Sequence, residues 1–291
     1  MFGVLGFSFK AILIKLAYRE DSVDAITLLT LRMIYSAPMF LVMAAWAQRQ
    51  ARATPTSGAD WLRLVWLGCI GYYLSSLLDF MGLRYITASL ERLVLFLYPT
   101  IVVLLSALLL GKPVTRRAMA ALVLSYAGIA LVFWHDLRFG GNAPATLTGG
   151  GLVFAAALLY ALYLVQAGGV IARLGSTRFI SWAMLASTVF VVAQFLLTRP
   201  LAALAVPRSI HAISLAMAIF STVLPTWLIA ESIRRMGANA ASLVGSLGPV
   251  FTIGLGAMIL GEPVHAIQLA GAALVLGGVM LVTAKRRDAA S

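Results

Sequence analysis

Residues 82–133 read GLRYITASLERLVLFLYPTIVVLLSALLLGKPVTRRAMAALVLSYAGIALVF, and residues 232–283 read SIRRMGANAASLVGSLGPVFTIGLGAMILGEPVHAIQLAGAALVLGGVMLVT. Laid over one another without a gap, the two stretches share Arg84/Arg234, Pro99/Pro249, Gly111/Gly261, Pro113/Pro263 and Gly128/Gly278. Coincidences among Leu, Ala and Val are cheap in apolar sequence, so the arginine, prolines and glycines carry the comparison. Duplication inside an apolar chain points to a transporter built from repeats around a central pathway.

The composition sets the environment. Apolar residues make up 62% of the 291 residues and charged residues 11%, against roughly 45–50% and about 25% in soluble domains. Stretches such as 93–111, 209–230 and 263–284 contain no Asp, Glu, Lys or Arg. Each approaches the ~20 residues a helix needs to cross the hydrocarbon core. The expected fold is an all-α integral membrane protein in a lipid bilayer. It has ten transmembrane helices, near 2–19, 27–46, 62–82, 86–110, 117–134, 149–172, 178–198, 211–232, 238–260 and 265–284. The longest polar connection, 136–148, separates a first repeat (1–135) from a second (149–285). Five spans is an odd number, so the second repeat must enter the membrane in the opposite sense, giving two inverted five-helix repeats.

The basic residues test that orientation. With the N-terminus in the cytoplasm, 13 of the 22 Lys and Arg fall in inside connections and five in outside ones, as the positive-inside tendency requires. The turn after span four, Gly111-Lys112-Pro113-Val114-Thr115-Arg116-Arg117, repeats after span nine as Gly261-Glu262-Pro263-Val264-His265-Ala266-Ile267. Gly and Pro persist while three positive charges vanish, as expected if the copies face opposite sides. Both termini are expected in the cytoplasm of a bacterial inner membrane. Lys10 and Lys15 interrupt the first apolar stretch, which argues against a signal peptide.

Several chemistries find no support. The lone Cys69 excludes an internal disulfide, and His135, His211 and His265 are too far apart in sequence for a metal motif. The net charge of +12 is accounted for by cytoplasmic loops, so no nucleic-acid partner is implied. No Gly-x-x-x-x-Gly-Lys-Ser/Thr loop is present, and no cofactor or catalytic cluster is visible. His135–Asp136 lacks a partner, and 244–248 is not a nucleophile elbow. An integral-membrane enzyme is therefore the remote alternative. Small-residue pairs such as Gly271/Val275 form no clean close-packing motif, so oligomeric state stays undetermined.

Leu31-Arg32-Met33, residues 82–90 leading into Pro99, Leu110-Gly-Lys-Pro113, Leu260-Gly-Glu-Pro263 and residues 271–279 together carry a resemblance. The sequence resembles the EamA family of the drug/metabolite transporter superfamily along essentially its whole length. The resemblance implies two inverted repeats around a midplane cavity, alternating access, and movement of a small-molecule substrate, often export of amino acids or related compounds. An uptake permease or passive facilitator of the same fold is the alternative. The family commonly opens its first span with Trp-Gly, where this chain has Leu5-Gly6.

Ionisable residues inside spans are the sharpest site signal, since each costs roughly 2.5–3.5 kcal/mol at the helix centre. Lys15, Arg32, Asp79, Glu91 and Arg92 are expected toward the outer ends of spans one to four. They either brace the bundle as an outer gate or include a proton-coupling carboxylate, Asp79 or Glu91. Residues 91 and 92 differ by about 100° around a helix, so Glu91 is expected to meet Arg32 or Lys15, with Arg92 at the headgroup level. Lys10, near mid-span, is a candidate to hold a substrate carboxylate. Pro99 and Pro249 break spans four and nine at symmetric positions, with Ser246 nearby, and broken helices are where transporters bind. Tyr160 and Trp227 are candidates to stack on substrate.

Overall fold

The structure is a computed structural model that describes residues 2–20, 23–50, 57–111, 113–139, 142–228 and 247–283. Among these residues the fold is helical, with no strand. The helices are α1 (Phe2–Arg19), α2 (Ala25–Gln50), α3 (Gly58–Gly82), α4 (Ala88–Leu110), α5 (Arg116–Phe139), α6 (Ala143–Leu174), α7 (Ser176–Thr198), α8 (Arg208–Leu228), α9 (Gly248–Leu260) and α10 (Ala266–Thr283). Seven, α2 to α8, are long and apolar enough to cross a membrane. The described part of α9 is shorter because its expected first half lies outside the described residues. α1 and α10 each have 18 residues.

Local chemistry sets the helix ends. Ser57 and Asp60 form a reciprocal capping box at the start of α3, satisfying two otherwise orphaned donors. Thr87 accepts from the Leu90 N–H at 3.1 Å and opens α4. Gly111 and Gly261 end α4 and α9 with φ of 64° and 68°, a left-handed turn that favours glycine. This is why the repeat keeps them. The polar stretch after span five is mostly helical. α5 runs on to Phe139, and the Asn142 side chain caps α6 by accepting from the Ala145 N–H.

The packing pairs each half with the other. α5 lies on α10, α2 on α7, α3 on α6 and α7, α1 on α8 and α9, and α4 on α6 and α9. The α5/α10 seam is antiparallel. His135 meets His265 at one end with ring centroids 4.9 Å apart. Farther along, Gly128 abuts the Gly271 backbone, and near the other end Gly278 abuts Ala121. A Cβ at Gly128 would fall 2.6 Å from the Gly271 carbonyl, and one at Gly278 would fall 2.6 Å from the Ala121 carbonyl. So the small residues do make a close-packed seam, contrary to the sequence reading. They do so between two helices of one chain, which spacing along a single helix does not reveal. Gly6 likewise presses on α8, 2.4 Å (as Cβ) from the Phe220 carbonyl.

Three of the described helices carry π-turns, Cys69–Leu74 in α3, Met217–Val223 in α8 and Gly256–Leu260 in α9, the first two at matching places of the repeat. Such turns free backbone groups and often mark functional regions. Large apolar side chains such as Leu108, Leu197 and Met258 face outward, while Arg32, Asp79 and Glu91 are buried. This distribution suits a lipid surround with a polar interior.

Candidate functional site

Four helices deliver charge to one point. Lys10 Nζ on α1 lies 2.6 Å from Asp79 Oδ2 on α3 and 3.7 Å from Glu91 Oε1 on α4. Asp79 is 1% exposed and Glu91 is fully buried. Arg32 on α2 is also buried. Its guanidinium stands 5.1 Å above the Phe80 ring, and Nη2 reaches the Ser76 hydroxyl at 3.5 Å. Glu91 therefore faces Lys10, instead of Arg32 or Lys15. A lysine one helix away reaches it because Lys10 lies deeper in α1 than Lys15 and points inward. Asp79 Oδ1 and both Glu91 oxygens accept no hydrogen bond from any described residue, although a buried carboxylate normally needs several. Two carboxylates thus share one ammonium.

Arg92, expected at the headgroup level, reaches across to the start of the described part of α9. Its Nη2 lies where a Gly248 side chain would begin, 2.7 Å from that Cβ position. Its Nε is buried without a hydrogen-bond partner among the described residues. Tyrosines gather beside it from α3, α4 and α6. Tyr98 and Tyr160 meet edge-on at 5.2 Å, and Tyr160 stacks on Tyr163 at 5.5 Å. Tyr72 and Tyr163 share a 2.8 Å hydroxyl pair.

Below this cluster α4 breaks. Phe96 and Leu97 form a turn between Ala88–Leu95 and Tyr98–Leu110. Pro99 has no N–H to offer the Leu95 carbonyl, and the Thr100 N–H turns to Leu97. α9 has the counterpart: its described part opens at Gly248–Pro249 after Leu247 with a similar backbone. The Gly248 carbonyl accepts from Ser8 and Thr252 hydroxyls, both at 3.1 Å. Ser246 lies outside the described residues. Trp227 is 47% exposed and makes no ring contact with the tyrosines among the described residues.

The end of the bundle that carries the α9–α10 turn holds residues that the sequence reading missed. Glu262, in the α9–α10 turn, accepts from the Ala88 N–H at 2.8 Å, the Ser89 N–H at 3.3 Å and the Ser89 hydroxyl at 3.0 Å. It thereby covers the N-terminus of α4, where negative charge is favoured. Lys15 is within electrostatic reach of it, and Arg19 donates to the Leu260 carbonyl. The Lys112-to-Glu262 exchange between repeats was the available signal, but it reads as topology alone until the turn is seen against α4. Beside it, Asp24 takes hydrogen bonds from the Thr27 N–H and the Arg199 guanidinium. Burial pushes this carboxyl up, but those donors outweigh it and hold it below the usual carboxylate value. At the other end Arg173 pairs with Asp60.

Of the candidate residues, the structure brings Lys10, Asp79 and Glu91 together with Arg32 close by. It groups Arg92, Tyr98, Tyr160 and Gly248–Pro249 as a neighbouring set, and leaves Trp227 apart. Two histidines distant in sequence, His135 and His265, also meet. No group of three or more His, Cys, Asp or Glu among the described residues could hold a metal.

Comparison with known proteins follows the same lines. The chain matches the EamA-like transporter family over residues 1–134 and again over 147–284. It is 30% identical to an uncharacterized transporter of Bacillus subtilis (strain 168), YcbK, over 97% of this chain and 89% of that one. A probable terminal-alkyne amino-acid exporter of Streptantibioticus cattleyicolor is 27% identical over 72% of this chain and 70% of the relative. A solved crystal structure, 20% identical, superposes with a TM-score of 0.64 over 96% of this chain and 95% of that one, a likeness of fold.

Proposed function

The chain belongs to the EamA-like transporter family and is a multi-pass membrane transporter, not an enzyme; from that premise we propose the finer reading that follows. It is a secondary transporter of the bacterial inner membrane, with both termini cytoplasmic, that exports small organic metabolites, amino acids or related amphipathic compounds among them. Its ten helices form two inverted repeats, 1–135 and 149–285, joined through 136–148. They rock about a midplane site to give alternating access.

The observation that carries this reading is the antiparallel seam between α5 and α10, the fifth helix of each proposed repeat. There Gly128 faces Gly271 and its repeat equivalent Gly278 faces Ala121. Helices that occupy the same place in two repeats and run in opposite directions are what an inverted duplication produces. Exchanging the halves also maps α3/α6 onto α8/α1 and α4/α6 onto α9/α1, and all four pairs are packed. Export is supported by the amino-acid exporter among the relatives. Proton coupling is supported by the two buried carboxylates that share the Lys10 ammonium, since Asp79 Oδ1 and both Glu91 oxygens have no hydrogen-bond donor among the described residues.

The test is flux of an amino-acid mixture in right-side-out and inside-out vesicles, with and without a proton gradient. Gradient-driven movement away from the cytoplasmic face is expected, and it should fall at least tenfold in Glu91→Gln. Equal, gradient-insensitive movement in both directions would mean a facilitator and return the carboxylates to bracing.

A further inference from the structure

Among the described residues Arg32 and Arg92 both lack an ion pair, and each has a buried Nε without a hydrogen bond. What separates them is the surroundings of the rest of the guanidinium. Arg32 lies over Phe80 beside Ser76, whereas Arg92 lies against Gly248. Lys10 is neutralised by Asp79 and Glu91. Glu91, the neighbour of Arg92, points to the Lys10 side, about 100° away around the helix.

The depth of that guanidinium matters. Gly248, which it touches, is twelve residues from the end of α9 at Leu260, about 18 Å at 1.5 Å per residue. That places the charge near the middle of a hydrocarbon core roughly 30 Å thick, where a guanidinium calls for a partner or a function. Glycine at 248 admits the guanidinium, which any side chain there would displace. Around it are π-faces and polar atoms. Tyr98 and Tyr160 lie within its electrostatic reach. Their hydroxyls join no hydrogen-bonded pair like that of Tyr72 with Tyr163 among the described residues. The α4 break adds a Leu95 carbonyl that Pro99 cannot satisfy.

We propose that Arg92 is the anchor for the carboxylate of the transported molecule, with Tyr98 and Tyr160 receiving its apolar or aromatic body. The assignment rests on the transporter reading above and narrows its substrate class to organic carboxylates. A guanidinium offers a planar fork that matches a carboxylate through two parallel hydrogen bonds, and edge-on phenol rings accept an aromatic or aliphatic group. Lys10 is thereby relieved of the role: its three donors already face two acids.

The test uses the purified full chain in lipid nanodiscs. Thermal stabilisation and tryptophan-fluorescence titration are read with L-phenylalanine, phenylacetate, L-leucine and 4-methylpentanoate, each beside its amide. At least one carboxylate is expected to bind while its amide does not. Arg92→Gln should weaken that binding roughly tenfold or more, Arg92→Lys should weaken it less, and Gly248→Ala should weaken it by displacing the guanidinium. The melting point of each ligand-free variant shows whether it folds, and Arg92→Lys stands in where Arg92→Gln does not. Carboxylates and amides binding alike, no carboxylate binding to the wild type, or binding unchanged in Arg92→Gln would each overturn the assignment. Transport in proteoliposomes separates the two levels. Flux that persists without Arg92-dependent carboxylate binding removes the anchor and keeps the transporter. Arg92-dependent binding with no flux of any tested compound keeps the anchor and removes the proposed transport.

Discussion

Lys10 holds two buried carboxylates at once, and its loss strands both. Lys10→Met is expected to lower the melting temperature by several degrees, because a buried charge left without its partner is strongly destabilising. Lys10→Met/Asp79→Asn should recover more than half of that loss. A single mutant that melts with the wild type would show that the cluster does not brace the bundle. Asp24 carries the clearest pH dependence outside the membrane. Its carboxyl is held below its usual value by Thr27 and Arg199, so its contribution to stability is complete above about pH 4. That contribution disappears as pH falls through the lowered folded value. The melting difference between wild type and Asp24→Asn should therefore be constant from pH 7 to pH 5 and close below pH 4. A difference that widens on acidification contradicts the assignment. Because both partners are partly exposed, a shift of no more than a few degrees is expected.

At the level of helices, the glycines of the α5/α10 seam make the strongest claim. Gly278→Leu must force α5 from α10 at the Ala121 carbonyl and should cost about 1–3 kcal/mol. Gly254→Ala, which meets nothing within 4 Å, should leave stability unchanged, and chemical or thermal unfolding of the two side by side checks the contrast. How much of this was legible beforehand follows from the physics of each signal. Spans, turns and the Gly111/Gly261 ends are local, set by runs of apolar residues and by a backbone conformation only glycine takes easily, so sequence carries them. The encounter of Lys10 with Glu91, the approach of Arg92 to Gly248 and the Glu262 cover on α4 are not local. They depend on which helices become neighbours and how far a long side chain reaches, and no spacing in the chain encodes that. Glu262 shows the difference: its sign was readable as topology, but its partners, Ala88 and Ser89, sit 174 and 173 residues away.

For the whole molecule, opposite orientation of the halves makes a prediction that labelling can answer. In a Cys69→Ser background, Arg208→Cys should react with a membrane-impermeant maleimide added outside intact cells. Gly58→Cys, the equivalent position in the first half at the start of α3, should react only after permeabilisation. Reaction of both from one side contradicts inversion. The seam has one more consequence on the rocking mechanism. Exchanging the halves turns the Gly128/Gly271 contact into the Gly278/Ala121 contact, so the seam presents the same surface whichever mouth is open. Its packing energy then cancels from the balance between the two facing states. Damage there should slow the passage from one to the other while leaving the ratio of their populations where it was, as wear at an axle slows a wheel without choosing its direction.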